Sequence, residues 1–185
     1  MSEQAEEAEN VARAVREEMP PQLTEIAGAL TDVLAGGGQV FFFGNGGSAA
    51  DAQHWAAELS GRFYRERDPL PALALTANSS QVTALANDYD YADVFARPLR
   101  GLARAGDAAV GISTSGHSEN VLRALDAARD EDLTTVGFTG ADGGDMAARC
   151  DHLVRIPSED TARIQEGHEL CSHLICAAVE RALFA

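Results

Sequence analysis

Apolar positions recur along this chain in two rhythms that alternate. Ala5, Ala8, Val11, Ala12 and Val15 fall at helical spacing within an Ala- and Glu-rich stretch from Met1 to Glu18, which Met19-Pro20-Pro21 ends. Leu23, Ile26, Leu30, Val33 and Leu34 line one face of a second helix running to Gly36-Gly37-Gly38. The rhythm then changes. The apolar run from Gln39 to Phe43 predicts a buried strand, Gly44-Asn45-Gly46-Gly47 a tight turn, and the helix formers after it a helix starting near Ser48.

The alternation continues to the C-terminus. Ala72 to Leu75 predicts a short buried strand. Thr76 to Leu85 passes from small polar residues into a helical pattern that Asn87-Asp88-Tyr89-Asp90 breaks, and Tyr91 to Ala103 predicts a helix kinked by Pro98. Asp107–Ile112, Leu133–Thr139 and Asp151–Pro157 predict three further strands, with helices over Val121–Arg129 and, briefly, Asp145–Arg149. A long last helix, Thr161 to Phe184, carries Leu170, Leu174, Ile175, Ala178, Val179 and Leu183 on its expected buried side. Strands alternating with helices specify an α/β fold, a parallel sheet covered on both faces. No domain boundary or repeat interrupts residues 1–185. The two leading helices either cover their own core or pack on a neighbouring subunit; the pattern leaves both open.

Composition narrows the class. A chain of 185 residues suffices for one sizeable core, and 45% hydrophobic content with 17 glycines fits a globular protein. The net charge of −15 argues against nucleic-acid binding through a broad basic surface, though backbone N–H groups and hydroxyls still suit a phosphate. No apolar run approaches the roughly 20 residues of a membrane span, and the acidic start has no secretion-signal pattern. Cys150, Cys171 and Cys176 form no zinc-ribbon spacing and cannot all pair within one chain, which points to a reduced cytosol.

Chemistry concentrates after two of the strands. The glycine turn at Gly44–Gly47 lets backbone approach a ligand closely, at a helix N-terminus whose free N–H groups favour anions or hydroxyls. Down that helix, His54 and Glu58 are four apart and point into one space, as a ligand pair, an acid/base pair or a plain surface pair. Ser113-Thr114-Ser115-Gly116-His117-Ser118 puts four hydroxyls between a strand and a helix. A simple N-cap needs only one, so the set reads as a neutral phosphate cradle, with His117 an exposed loop histidine. Both turns follow strands and so lie at the carboxyl end of the sheet, where such folds bind ligands.

Gly44-Asn45-Gly46-Gly47-Ser48 through Asp51, His54 and Glu58, then Ser113-Thr114-Ser115-Gly116-x-Ser118, then Arg163-Ile164-Gln165-Glu166 and His173 resemble the sugar isomerase (SIS) domain family, most nearly its phosphoheptose isomerases. The likeness runs from about Val33 to the C-terminus. It implies a three-layer, flavodoxin-like doubly wound sheet of about five strands in an SIS fold with two extra N-terminal helices. It also implies a cytoplasmic homotetramer with intersubunit active sites that converts sedoheptulose 7-phosphate to D-glycero-D-manno-heptose 7-phosphate through an enediol. On that resemblance zinc, one per subunit, maps onto His54, Glu58, Gln165 and His173. Substrate contacts map onto Asn45, Gly46, Gly47, Ser48, Glu58, Asn87, Asp88, Ser113, Thr114, Ser115, Ser118 and Gln165, and acid/base chemistry onto Glu58 and His173.

Geometry alone would pair Glu169 with His173, four apart, rather than select Gln165. His168 and Glu169 read as helix-surface or interface residues, and Cys171 as a small buried thiol. Two departures from the phosphoheptose pattern bear on substrate preference: Ala162 stands where an aspartate is frequent, and Ala49-Ala50 where larger polar residues occur. Two rivals remain. One is an isomerase of another sugar phosphate. The other is the scaffold SIS protein that associates with the DnaA replication initiator, which lacks equivalents of Glu58 and His173.

Overall fold

The computed structural model describes residues 1–185. Helix α1 (Ser2–Glu18) and helix α2 (Pro20–Ala35) are separated by Met19 alone. Pro20 ends the first helix by starting the second, at a position where its missing N–H has no helical partner to lose. After them the chain alternates: β1 (Val40–Gly44), α3 (Gly47–Ser60), β2 (Ala72–Ala74), α4 (Ser79–Asp88), α5 (Ala96–Leu102), β3 (Ala108–Ile112), α6 (Glu119–Asp130), β4 (Thr134–Thr139), β5 (His152–Arg155) and α7 (Thr161–Leu183). Short 3-10 turns occupy Tyr91–Asp93 and Gly144–Ala148.

All strand pairings are parallel, in the order β2-β1-β3-β4-β5. The order reverses between β1 and β3, and that switch point opens a crevice beyond their carboxyl ends. Consecutive strand side chains point to opposite faces, which gives the molecule two cores. Val40 and Phe42 of β1 face a layer made of α1, α2, α3 and α7, where Trp55 stands edge-on to Phe42 and 4.8 Å from Phe138. Phe41 and Phe43 face the opposite layer, with Phe95, Leu99, Val121 and Leu125 from the α5 and α6 region. This is the α/β, three-layer doubly wound sheet that the alternation predicts, with five strands and two extra leading helices. No helix is long and apolar enough to cross a membrane.

Three expectations change. The segment from Tyr91 to Ala103 is a 3-10 turn followed by α5, not one kinked helix. Pro98 is the third residue of α5, where its N–H would be free anyway, so it forces no kink. Strand β2 is an edge strand rather than a buried one, with Leu73 turned outward. On α7, Leu174 is 46% exposed instead of buried.

Candidate active site

Gly44 closes β1 because nothing larger fits: a Cβ there would lie 2.8 Å from the carbonyl oxygens of Ile112 and Ser48. Gly46 takes a φ of 58°, a backbone that side chains rarely adopt, and turns the chain into α3 with no side chain capping the helix. The neighbouring turn follows β3, whose Ile112 is in register with Gly44, so the two turns lie side by side at the switch point. In it the Ser113 and Ser118 hydroxyls meet at 2.9 Å, and Ser115 accepts the His117 N–H. Ser118 stands at the N-cap of α6 without capping it, since its hydroxyl turns to Ser113 instead. Thr114 is half-buried and Ser115 exposed. His117 is exposed as expected and pairs with Asp145 at 2.9 Å.

The two turns are tied together through Asn45 by two side chains the sequence reading did not select, Asn120 and Tyr91. Asn45 and Asn120 exchange side-chain amide hydrogen bonds of 2.8 Å, and the Tyr91 hydroxyl donates to Asn45 Oδ1 at 2.9 Å. Asn87 and Asp88 stand exposed on the last turn of α4, the Asn87 amide donating to Asp88 at 2.8 Å.

Beside the turns, α3 and α7 bring a second group together. His54 Nε2 lies 3.0 Å from His173 Nε2, and 3.5 Å from a Glu58 oxygen. One ligand atom from each of His54, Glu58 and His173 falls within 4.8 Å of the others, a nitrogen-and-carboxylate donor set of the kind zinc takes. Phe63 packs on the His173 ring at 5.5 Å. Gln165 lies about two turns before His173 on α7, with its amide packed on Gly47: a Cβ on that glycine would sit 2.8 Å from the Gln165 Cδ. Gln165 therefore links α7 to the glycine turn.

His168 and Glu169 correct the surface reading. His168 is fully buried, and its Nε2–H donates to the Thr139 carbonyl at 3.0 Å. Burial pushes its pKa down to about 4, with the Thr139 bond opposing the shift, so the ring is neutral at pH 7. Glu169 turns inward: one carboxylate oxygen stands 2.9 Å from His54 Nε2 and 3.1 Å from His173 Nε2, while the other accepts the Trp55 indole N–H at 2.8 Å. Asp51 is also drawn in. Burial, then the Glu169 charge, raise its pKa to about 6 against the opposing pull of His54. Cys171 is buried, and burial pushes its thiol up to about 12, which leaves it inert.

Residues 4–140 match the family model described as SIS domain. The phosphoheptose isomerase of Rhodospirillum rubrum is 52% identical over 163 residues, 88% of this chain and 87% of that one. Among solved structures, the phosphoheptose isomerase GmhA of Neisseria gonorrhoeae superposes with a TM-score of 0.92 at 39% identity, and one from Francisella tularensis with 0.94 at 34%. Each of these two superpositions covers 97% of this chain and 96% of the other.

Proposed function

The chain belongs to the SIS-domain family and, within it, to the phosphoheptose isomerases; from that premise we propose that it interconverts sedoheptulose 7-phosphate and D-glycero-D-manno-heptose 7-phosphate. One observation carries the reading: His54, Glu58 and His173 converge from two helices beside a hydroxyl-lined turn and a glycine turn. The Ser113–Ser118 hydroxyls and the N-terminal N–H groups of α6 take the phosphate. The turn from Asn45 to Ser48, with Gln165 packed on it, orients the sugar hydroxyls, and Asn87 and Asp88 add contacts at the rim. Glu58 moves the proton between C1 and C2, and His173 delivers a proton to the carbonyl oxygen as the enediol forms.

Zinc, one per subunit, suits this donor set; His54, Glu58 and His173 would hold it, with Gln165 the fourth ligand on the family resemblance. When bound, it would supply electrophilic polarisation of the substrate oxygen in place of proton delivery by His173, because an imidazole nitrogen that ligates a metal has no proton to give. The reading also makes residues 1–185 one SIS domain of a cytoplasmic homotetramer, with active sites shared between subunits. An apolar groove of about 510 Å³ between α1, α2 and α7, lined by Val15, Leu23, Leu170 and exposed Leu174, supports an interface on that face. A scaffold role would use neither Glu58 nor His173.

The test is turnover of sedoheptulose 7-phosphate by purified protein, with and without a chelator, beside Glu58→Gln and His173→Gln. Wild type should form product, and each variant should lose about 100- to 10,000-fold, the usual share of a positioned acid or base. Folded, metal-loaded wild type that forms no heptose phosphate would reject this substrate.

A further inference from the structure

We propose that His117 and Asp145 are positioning residues for the substrate phosphate: their pairing holds the Ser113–Ser118 loop against the turn from Gly140 to Met146, with the loop's carbonyls drawn back and its N–H groups left for the anion. This rests on the phosphate reading above and deepens it.

The loop from Ser113 to Ser118 contains neither Lys nor Arg, so it can hold an anion only through hydroxyls and N–H dipoles. Such dipoles attract an anion only when their positive ends face it, and a carbonyl turned the same way repels it. The structure separates the two. The N–H groups of Thr114, Ser115 and Ser118 find no acceptor in the protein. The carbonyls find donors behind the loop: Thr114 accepts the Gly140 N–H at 3.0 Å, and Gly116 accepts the Met146 N–H at 3.2 Å. The two backbones approach so closely that a Cβ on Gly144 would lie 2.6 Å from the Ser115 carbonyl oxygen.

The turn is itself firmly placed. Met146 is fully buried, and the Arg149 guanidinium donates to the Asp145 carbonyl at 2.8 Å while meeting Asp126 of α6 at 3.1 Å. The turn is thereby fixed to the helix into which the loop runs. The backbone bonds between loop and turn stop at Gly116, whose φ of 68° makes it a joint that only a flexible residue takes easily. Beyond that joint the link is His117. A carboxylate only accepts, so the His117 Nδ1–H donates to Asp145 at 2.9 Å, while the His117 backbone N–H donates to Ser115 Oγ at 3.2 Å. The imidazole thus fixes the step from Gly116 into Ser118 and α6. Both side chains are exposed, and exposed pairs contribute little to folding, so loss of this one loosens the loop without unfolding the chain.

The experiment uses full-length protein and two readouts: inorganic phosphate binding followed by phosphorus NMR, and steady-state kinetics on sedoheptulose 7-phosphate. The phosphate arm reads the loop whichever sugar phosphate the enzyme takes. The variants are His117→Ala, Asp145→Ala, both together, Asp145→Asn, and Ser113→Ala, which removes a cradle hydroxyl itself. Each single alanine variant at the pair should weaken phosphate and raise KM by about 3- to 5-fold while leaving kcat unchanged. The double variant should lose no more than either single one, because the pair acts as a unit. Asp145→Asn keeps an acceptor for Nδ1–H and should recover most of the affinity. Losses that add in the double variant, or a fall in kcat at constant KM, overturn the positioning role. If both alanine variants bind phosphate like wild type while Ser113→Ala binds it weakly, the positioning role is overturned and the cradle stands. If Ser113→Ala also binds like wild type, the cradle falls with it.

Discussion

Glu180, 2% exposed near the end of α7, is the strongest single test of how the site wall is held. One of its oxygens accepts the Phe63 N–H at 3.1 Å and Arg67 Nε at 3.0 Å; the other accepts the N–H groups of Tyr64 and Arg65 at 2.8 and 3.0 Å. The carboxylate thus gathers the loop after α3 and fixes Phe63, whose ring packs on His173. Glu180→Gln keeps the shape but replaces one acceptor oxygen with an NH₂ group facing two donors, and it leaves the Arg67 charge without a counterion. Breaking a buried ion pair from one side costs about 3–5 kcal/mol. The lower end applies here, because Arg67, 1% exposed, still donates to the carbonyls of Glu58, Leu59, Gly61 and Asp68. At about 2–4 °C per kcal/mol for a chain of this length, a loss of about 3 kcal/mol lowers Tm by roughly 6–12 °C.

The assay is thermal unfolding of wild type and variant at one protein concentration, since the proposed assembly would make Tm concentration-dependent. The pH dependence supplies an internal check. Burial alone would raise the Glu180 pKa, but the N–H groups of Tyr64, Phe63 and Arg65 and the Arg67 guanidinium outweigh it and hold the carboxyl below its ordinary 4.5. A depressed folded pKa gives stability that is complete above the unfolded value and is lost as pH falls through the folded one. The gap between the two proteins should therefore be full at pH 7 and shrink below about pH 4.5. A Tm change under about 2 °C at pH 7, or a gap that widens in acid, refutes the reasoning.

Three other outcomes follow from the same geometry. Gly47→Ala puts a Cβ on the Gln165 amide, yet alanine is the better helix former by about 1 kcal/mol. Stability should hold within about 1 kcal/mol while kcat/KM for the sugar phosphate falls at least about 10-fold; unchanged kinetics would detach Gln165 from the substrate. Ser113→Ala and Ser118→Ala each remove a hydroxyl from the proposed phosphate cradle, and hydrogen bonds to charged groups contribute about 1.5–3 kcal/mol, or roughly 10- to 150-fold in KM. Inorganic phosphate should weaken as an inhibitor in parallel, and constant KM and inhibition in both variants would place the phosphate elsewhere. Leu174→Glu sets a charge in the apolar groove of α7 and should reduce the assembly seen by light scattering; an unchanged mass takes that face out of the interface.

The sheet was legible because its strands are short apolar runs with glycine turns after them, and buried parallel strands need little else. Half of the site was legible for the same local reason: His54 and Glu58 share a helix face, and the four hydroxyls lie within six residues. What escaped the sequence is tertiary. Nothing local says that His54 meets His173 across two helices, or that Tyr91 reaches back to Asn45. His168 was misread although a signal existed. It falls on the stripe Ile164, His168, Cys171, Ile175 and Val179, all buried, but its polar type and charged neighbours suggested surface. Glu169 was misread for lack of any local sign that the Trp55 N–H would take one of its oxygens.

The register of α7 over α3 decides which chemistry the crevice holds. A slip of one helical turn, about 5.4 Å, would present Glu169 where His173 now stands and remove the facing imidazoles. Several contacts along α7 oppose that slip. Asp160 caps the start, accepting the N–H groups of Ala162 and Arg163. Gly167 lies so close to Ile156 that a Cβ would come within 2.8 Å of its side chain, which lets the helix settle against the end of the sheet. His168 then donates to the last residue of β4, and Glu180 locks the far end to the loop beneath Phe63. The neutral, buried His168 and the ionised, buried Glu180 thus serve the site without lining it: between them they hold His173 and Glu169 at the height where His54 waits. The costs of burying those polar groups are offset only in this register, so the same bonds that stabilise the fold also select the arrangement of the active centre.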